Sequence, residues 1–228
     1  MHGSSESFSM KIVSFGDVHM AITQMSKIAI ELASADLIIL SGDLTNFGGH
    51  TDAAKVVHAA KSYCPQVLAL PGNVDQATVL DFLQTEQMSL HREHRRLGEL
   101  AIFGCGGSNI TPFHTPLEYE DNELGVILAE AYVGASAALL QLMVCHTPPY
   151  ATKLDRLTNG TPVGSWAVRR FIEQHQPQVC ITGHIHESPG VDHLGRTKIL
   201  NAGLFAAGGY IVARYEDGTL EAELRFTS

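Results

Sequence analysis

The chain has 228 residues, 45% of them hydrophobic, which predicts a single globular domain over residues 10–228 with enough apolar side chains for a large core. The 15 basic and 24 acidic residues give a formal net charge of −9, which disfavours duplex nucleic acid as a partner. No apolar run reaches the roughly 18 residues of a membrane span and the four cysteines form no Cys-x-x-Cys pair, so a cytoplasmic protein without a membrane partner is expected.

The first predicted strand ends in two side chains that could bind one metal ion. Residues 1–9 lack the basic start and the apolar segment of a signal peptide and are predicted to be a flexible tail. The strand Lys11–Phe15 then leads to Asp17 and His19, whose i and i+2 spacing suits one ion; a helix cap followed by a surface histidine is the alternative. Apolar residues at helical spacing next predict a helix over Ala21–Ala33.

The second and third predicted strands end in further candidate ligands. Leu37–Leu40 is continuously apolar, which is typical of a strand covered by helices on both faces, and Asp43 follows it. The next helix is expected to be capped by Asp52. Val67–Leu70 is the third strand and leads to Asn73, whose amide oxygen is a usable ligand. Taken singly, each of these two polar residues could be an ordinary turn residue.

The middle of the chain is less informative. Residues 89–99 are polar, and their three arginines are predicted to lie on a solvated strand face, although together they could bind a phosphate. A long loop follows the strand Ala101–Phe103; it could line a pocket with Asn109 or His114 touching substrate, or it could be a surface excursion. The acidic residues within 118–123 are predicted to begin a helix, where they would favour its N-terminal dipole.

Two more strands end in histidines. The apolar run Leu139–Cys145 leads to His146 ahead of a Pro-Pro turn. The run Val179–Thr182 is followed by a glycine that allows a sharp turn at His184 and His186. Two imidazoles two residues apart on such a turn can converge on one ion, although His-x-His alone could equally be a polar strand end. The rest of the chain predicts two antiparallel hairpins.

Candidate ligands therefore follow five predicted strands. Because ligands gather at the carboxyl ends of strands in α/β sheets, these ends can form one cleft, although about 170 residues separate the first ligand from the last. Seven nitrogen and oxygen ligands without a thiolate are too many for one tetrahedral zinc but suit two divalent ions of Mn, Fe, Zn, Co or Ni that share a carboxylate. The seven residues are Asp17, His19, Asp43, Asn73, His146, His184 and His186.

In this order the motifs resemble the signature of the calcineurin-like metallophosphoesterase superfamily, which is Asp-x-His, Gly-Asp, Gly-Asn-His-[Asp/Glu], a strand-end His and Gly-His-x-His. The resemblance covers essentially residues 10–228. Small bacterial and archaeal phosphoesterases of this superfamily have segments similar to GCGGSNITPF, HTPPY and GSWAVRRFIEQHQP. The resemblance implies an α/β fold, a four-layer α-β-β-α sandwich with two mixed β-sheets and a binuclear metal site at the strand carboxyl ends.

The resemblance also implies an activity and a role for each ligand. The implied enzyme hydrolyses phosphate esters, with diesters expected, by attack of a hydroxide that bridges the two ions. A small phosphate ester is the expected substrate, and a homo-oligomer is left open. The ligand sets implied are Asp17, His19 and His186 on one ion, Asn73, His146 and His184 on the other, and Asp43 as the bridge, with Asn73 and His146 steadying the phosphoryl group.

One departure from the signature and two rival functions complete the expectations. Val74 stands where the superfamily often has His, which weakens protonation of the leaving group, and His114 is the candidate substitute acid. A non-catalytic scaffold of the same fold is disfavoured because all seven ligand positions are intact. A barrel-type binuclear amidohydrolase is disfavoured because its His-x-His lies on the first strand, whereas here Asp-x-His comes first.

Overall fold

The computed structural model describes residues 9–227 of the chain. The tail predicted for residues 1–9 therefore lies outside the described part, except for Ser9. Within residues 9–227, no helix has both the length and the apolar character that a membrane crossing requires.

The described residues form strands, α-helices and two short 3-10 helices. In chain order the strands are β1 (Met10–Phe15), β2 (Leu37–Ser41), β3 (Val67–Leu70), β4 (His94–Leu97), β5 (Leu100–Cys105), β6 (Ser108–Asn109), β7 (Glu118–Tyr119), β8 (Leu140–Cys145), β9 (Val179–Thr182), β10 (Gly190–Leu194), β11 (Thr197–Asn201), β12 (Gly209–Glu216) and β13 (Thr219–Phe226). The α-helices are α1 (Ala29–Ala33), α2 (His50–Lys61), α3 (Ala77–Thr85), α4 (Asp121–Val133) and α5 (Trp166–His175), and the 3-10 helices are Ile22–Ile28 and Phe205–Ala207.

The strands pair into two large mixed sheets and one small sheet. The first large sheet has the order β13-β12-β1-β2-β3, the second has the order β10-β11-β9-β8-β5-β4, and β6 pairs with β7. The strands β1, β2 and β3 run parallel, as do β5, β8, β9 and β11. Antiparallel pairing adds β12 and β13 to the first sheet and β4 and β10 to the second. Each sheet therefore has a parallel centre whose strands end at one edge.

Three apolar cores separate four layers. On β1, Ile12 packs in the core between the two sheets, whereas Val13 and Phe15 pack on the opposite face with residues of α1, α2 and α3. On the outer face of the second sheet, Phe103 and Met143 pack against α4 and α5. This arrangement confirms the predicted four-layer α-β-β-α sandwich, and its open sheets rule out the barrel of an amidohydrolase.

The helix predicted over Ala21–Ala33 is wrong in type over most of its length. Ile22–Ile28 is a 3-10 helix, and only Ala29–Ala33 is α-helical. Neither segment has a side-chain cap at its N-terminus. The hydroxyl of Ser26 donates to the carbonyl of Thr23 at 2.8 Å, and such a local bond competes with the regular helical ladder.

Two predicted helix starts also need correction. Helix α2 begins at His50 after Gly49, and Asp52 lies inside its first turn, where it pairs with Lys55 at 2.7 Å. Helix α4 does begin in the acidic cluster, with a capping box between Glu120 and Glu123. Glu118 lies outside that helix, because its carboxylate accepts hydrogen bonds from the preceding loop.

The polar segment of residues 89–99 contains the expected solvated strand and one unexpected buried histidine. Arg95 and Arg96 lie on β4, whereas Arg92 lies in the turn before it, so the predicted strand face holds for two of the three arginines. Arg92 and Arg95 are ion-paired with Glu130 and Glu93. His91, by contrast, is only 1% exposed. Its Nδ1 accepts a hydrogen bond from the backbone N–H of Gly106 at 3.0 Å, and its ring stacks on Tyr119 at a centroid distance of 5.7 Å. Burial, reinforced by the charge of Arg92, lowers the pKa of His91 to about 4.

This buried imidazole predicts a loss of stability in acid. Between pH 6.5 and 4 the unfolded chain binds a proton at His91 that the folded chain does not bind, so the free energy of unfolding should fall with falling pH, by at most about 1.4 kcal/mol per unit. His91→Asn keeps an acceptor for Gly106 but does not titrate, so its pH dependence should be shallower. Urea unfolding of metal-free protein at several pH values measures both slopes. Equal pH dependence of the free energy of unfolding in wild type and His91→Asn would show that His91 does not cause the loss of stability in acid.

Candidate metal centre

The seven predicted ligands lie on loops that follow five parallel strands, and the fold brings them together. Asp17, His19, Asp43 and His186 each offer one ligand atom, and all four atoms lie within 4.8 Å of one another. Asp43, His146 and His184 form a second group by the same measure. Asn73 joins this second group, because its Oδ1 lies 3.2 Å from Nε2 of His146.

Asp43 connects the two groups through a single oxygen. Its Oδ2 lies 3.4 Å from Nε2 of His146 and 3.7 Å from Nε2 of His19. In the first group, Nε2 of His186 lies 3.2 Å from Oδ1 of Asp17 and 3.3 Å from Nε2 of His19. The arrangement has the shape of two adjacent ligand sets with one shared carboxylate.

The backbone is strained at four of the candidate ligands. Positive φ angles occur at Asp17 (49°), His19 (45°), Asp43 (48°) and His184 (66°). This left-handed region is uncommon for residues other than glycine and persists where the surrounding structure imposes it. Part of that constraint is visible in hydrogen bonds between loops, since the N–H of Asp17 donates to Gly42 at 2.9 Å and the N–H of His19 to Asp43 at 2.9 Å.

The glycines of the Gly-Asp and Gly-Asn motifs are required by close approach. A Cβ at Gly72 would lie 2.0 Å from Oδ1 of Asp43. A Cβ at Gly42, whose φ is +107°, would lie 2.2 Å from Nδ1 of His146. Only a residue without a side chain lets these loops pack against the ligands.

Two histidines are held in the tautomer that a metal ligand needs. Nδ1 of His146 lies 3.0 Å from the carbonyl of Ser41, so it carries a proton, and Nε2, which faces Asp43, is the nitrogen that can bind a metal ion. Nδ1 of His19 likewise faces Oδ1 of Asn46 at 3.0 Å, and the amide of Asn46 is oriented by its own bond to the His19 carbonyl. Partners of this kind fix ring orientation and raise ligand basicity in metal sites.

The electrostatics of the cluster favour a bound cation. Asp17 and Asp43 are 0% and 2% exposed, and within residues 9–227 their ion-pair partners are histidines. Burial lowers the pKa of His146, but the Asp43 carboxylate outweighs it and raises this pKa to about 10. Burial and His146 together lower the pKa of His184 to about 4. Because buried carboxylates need a positive partner and every donor is nitrogen or oxygen, the cluster suits divalent transition-metal ions.

Asp75 has a structural role that the sequence did not reveal. It is fully buried, and its Oδ2 accepts from the N–H of Leu44 at 3.0 Å and of Gly72 at 2.9 Å. Its Oδ1 accepts from both the N–H and the hydroxyl of Thr45 at 2.9 and 2.7 Å. Asp75 thereby joins the loop of Asp43 to the loop of Asn73. The available signal was its position, since it occupies the acidic position of the Gly-Asn-His-[Asp/Glu] signature.

The long loop after β5 lies beside the second ligand group. The side-chain N–H of Asn109 donates to the carbonyl of Val163 at 3.3 Å, so Asn109 ties this loop to another loop. His114 is exposed, and within the described chain no hydrogen bond joins its side chain to a ligand. Its neighbour Thr115, however, accepts a hydrogen bond from the amide of Asn73 at 2.9 Å. His114 as a substrate contact stays a prediction.

Comparison with known protein families identifies the superfamily of this chain. The model of the calcineurin-like phosphoesterase superfamily domain matches residues 10–209. The chain belongs to the calcineurin-like phosphoesterase superfamily. Membership supports a phosphoesterase hydrolase in general, and this superfamily normally uses divalent metals, although some of its members are non-catalytic.

Individual proteins show how far the likeness extends. MJ1162, an uncharacterized protein of Methanocaldococcus jannaschii, is 33% identical over 196 residues, which are 84% of this chain and 87% of that protein. The crystal structure of TT1561 from Thermus thermophilus has a TM-score of 0.69 at 18% identity and covers 95% of this chain and 99% of its own. Purple acid phosphatase PPD1 from yellow lupin (Lupinus luteus) seeds has a TM-score of 0.62 at 12% identity and covers 97% and 52%. At these identities the two structures show that this superfamily member shares their fold.

Proposed function

We propose that this protein is a metal-dependent hydrolase of small phosphate esters, with diesters as the expected substrates, and that its seven candidate ligands hold two divalent ions. The observation that carries the proposal is the shared position of Asp43, whose Oδ2 lies 3.4 and 3.7 Å from the nearest imidazole nitrogens of the two groups. Such a shared carboxylate suits two closely spaced ions.

The ligand set favours binding of a phosphate anion. Two divalent ions bound there would polarise the phosphate oxygens and lower the pKa of a coordinated water. Asp17 and Asp43 contribute only two negative charges, and the remaining five ligands are neutral donors, so the centre would keep excess positive charge. Asn73 and His146 lie side by side at 3.2 Å and are proposed to steady the phosphoryl group.

A hydrolysis screen tests the proposal. Metal-free protein reconstituted with Mn should hydrolyse at least one class among mono-, di- and cyclic phosphate esters, with diesters preferred, and should be inactive again after chelation. No hydrolysis of any class by protein that retains its metal would reject the enzyme and favour a non-catalytic scaffold.

Protonation of the leaving group is the step for which the chain is least equipped. The backbone N–H of Val74 donates to Oδ1 of Asp43 at 3.0 Å, which places Val74 at the edge of the ligand cluster, but its side chain has no proton to donate to a leaving group. His114 is exposed and directly precedes Thr115, which contacts Asn73. We therefore propose His114 as the donor, with good aryl-like leaving groups as the alternative that needs no donor. A positioned acid contributes about 10² to 10⁴ in rate.

Two variants compared on two leaving groups distinguish these options. If His114 is the donor, His114→Ala should lower the rate on alkyl phosphodiesters by about 10²-fold and barely change the rate on aryl diesters. Val74→His should raise the alkyl rate more than the aryl rate if its imidazole reaches the leaving oxygen. Steady-state rates on matched alkyl and aryl diesters measure both effects. Equal responses to both substrates in every variant would show that leaving-group protonation does not limit the reaction.

A further inference from the structure

The amide of Asn73 has two chemically different sides, and each faces a different partner. Its Oδ1 lies 3.2 Å from Nε2 of His146, on the side of the second ligand group. Its Nδ2 donates to Oγ1 of Thr115 at 2.9 Å, on the side of the long loop. Only the oxygen side can ligate a metal ion, because the amide nitrogen carries two protons and offers no lone pair. The orientation of this one amide therefore decides whether Asn73 is a ligand.

The proton of the Thr115 hydroxyl is already committed elsewhere. Oγ1 of Thr115 donates it to Oε1 of Glu118 at 2.6 Å, a length typical of a hydrogen bond to a charged acceptor. A threonine hydroxyl has one proton and two lone pairs. Toward Asn73 it consequently presents a lone pair, which attracts the amide nitrogen and repels the amide oxygen.

Glu118 is held as an acceptor by several donors at once. The same Oε1 also accepts from the N–H of Thr115 at 2.8 Å and from the hydroxyl of Thr111 at 2.6 Å. Burial raises the pKa of Glu118, but these hydrogen bonds outweigh burial and lower it to about 2. Near neutral pH the carboxylate therefore accepts the Thr115 proton and has none to donate back.

We propose that Thr115 and Glu118 are positioning residues that keep the oxygen of the Asn73 amide, and not its nitrogen, directed at the second ligand group. The inference rests on the proposed function, because the orientation matters only if Asn73 binds a metal ion. The Glu118 carboxylate accepts the Thr115 hydroxyl proton, and the Thr115 oxygen in turn accepts a hydrogen bond from the Asn73 amide nitrogen. Partners of metal ligands in such positions typically contribute about 10- to 100-fold to metal affinity.

The loop is docked independently of this hydroxyl, which makes the proposal testable by substitution. The N–H of Leu117 donates to the backbone carbonyl of Asn73 at 3.0 Å, and the N–H of Gly107 donates to Pro71 at 2.9 Å. Replacing Thr115 with the isosteric valine removes the acceptor but leaves these backbone bonds in place. Thr111→Val is the matched control, because it removes a hydrogen bond to the same Glu118 oxygen without touching the contact with Asn73.

The experiment is calorimetric titration of metal-free protein with Mn. Thr115→Val and Glu118→Leu, which removes the acceptor of the Thr115 proton, should each weaken one of the two binding events by about 10- to 100-fold and leave the other unchanged, whereas Thr115→Ser and Thr111→Val should stay within about 3-fold of wild type. The weakened event should be the one that Asn73→Ala abolishes. In an Asn73→Asp background, where both side-chain ends are oxygens, Thr115→Val should have little effect on affinity.

The results that would overturn the positioning role differ from the result that would reject the proposed function. Two binding events that are unchanged in Thr115→Val, or an equal loss in Thr111→Val, would overturn the positioning role while leaving the two-metal site intact. An equal loss from Thr115→Val in the wild-type and the Asn73→Asp backgrounds would also overturn it, because amide orientation would then be irrelevant. Wild-type protein that binds no Mn would instead reject the proposed function itself.

Discussion

Asp43→Asn is expected to lower phosphoester hydrolysis on the order of 10³-fold and to reduce the number of bound metal ions below two per chain. The shared Oδ2 of Asp43 faces both His146 and His19, so the variant weakens both ligand groups at once. An amide in its place would remove the negative charge that the two ligand groups share and would turn one of its ends into a donor. A loss of several kcal/mol in the stabilisation of a charged transition state corresponds to a rate loss of this size.

Elemental analysis and initial rates on an aryl phosphodiester measure the two effects of Asp43→Asn together. Asp81→Asn is the matched control, because Asp81 is an exposed carboxylate on α3, and it should leave metal content and rate unchanged. Full metal content with full activity in Asp43→Asn would show that Asp43 is not the bridge.

Asp75→Ala is expected to lower the free energy of unfolding by about 3 kcal/mol or more. The substitution removes the acceptor of four hydrogen bonds, so the buried N–H groups of Leu44, Thr45 and Gly72 lose their partner. Each buried donor left without a partner costs about 1 to 3 kcal/mol, and some water entry offsets part of the sum. The loops that carry Asp43 and Asn73 would also separate, which adds a loss of metal affinity.

Urea unfolding of metal-free Asp75→Ala isolates the effect on folding from the effect of bound metal. Asp75→Asn should recover part of the loss, because its one oxygen can serve one pair of donors and the repulsion from Asp43 disappears. Burial and, after it, the neighbouring Asp43 charge raise the pKa of Asp75 to about 6. An Ala variant as stable as wild type would show that Asp75 does not hold the two loops together.

The strand ends and the ligand cluster could be predicted because their signals are local. The run Leu37–Leu40 is apolar on both faces, as expected for β2 in a sheet buried between layers, and a polar residue follows at once. The rule that parallel strands end at one edge of a sheet places Asp43 near Asn73, because both follow strands of the first sheet. His146 follows a strand of the second sheet, so its approach to Asp43, 103 positions away in the chain, also requires the two sheets to pack face to face. Motif order supplied the rest of the assignment.

The residues that the sequence did not reveal depend on distant partners. His91 is buried because Gly106 and Tyr119, 15 and 28 positions away, cover it, and its neighbour Arg92 made the segment look uniformly solvated. The contact between Asn73 and Thr115 spans 42 positions and joins a metal-ligand loop to a segment without regular periodicity. The 3-10 helix Ile22–Ile28 was missed for a different reason, because apolar spacing near 3.6 residues does not distinguish it from an α-helix over so short a length.

Hydrolysis of phosphate esters with two metal ions is tested most directly by a single titration. Metal-free protein at known concentration is titrated with Mn while hydrolysis of an aryl phosphodiester is followed. Activity should rise with added metal and saturate at about two equivalents per chain, as expected for a site in which Asp43 serves both ligand groups. Saturation at one equivalent, or no activity at any metal load, would contradict the two-metal hydrolase.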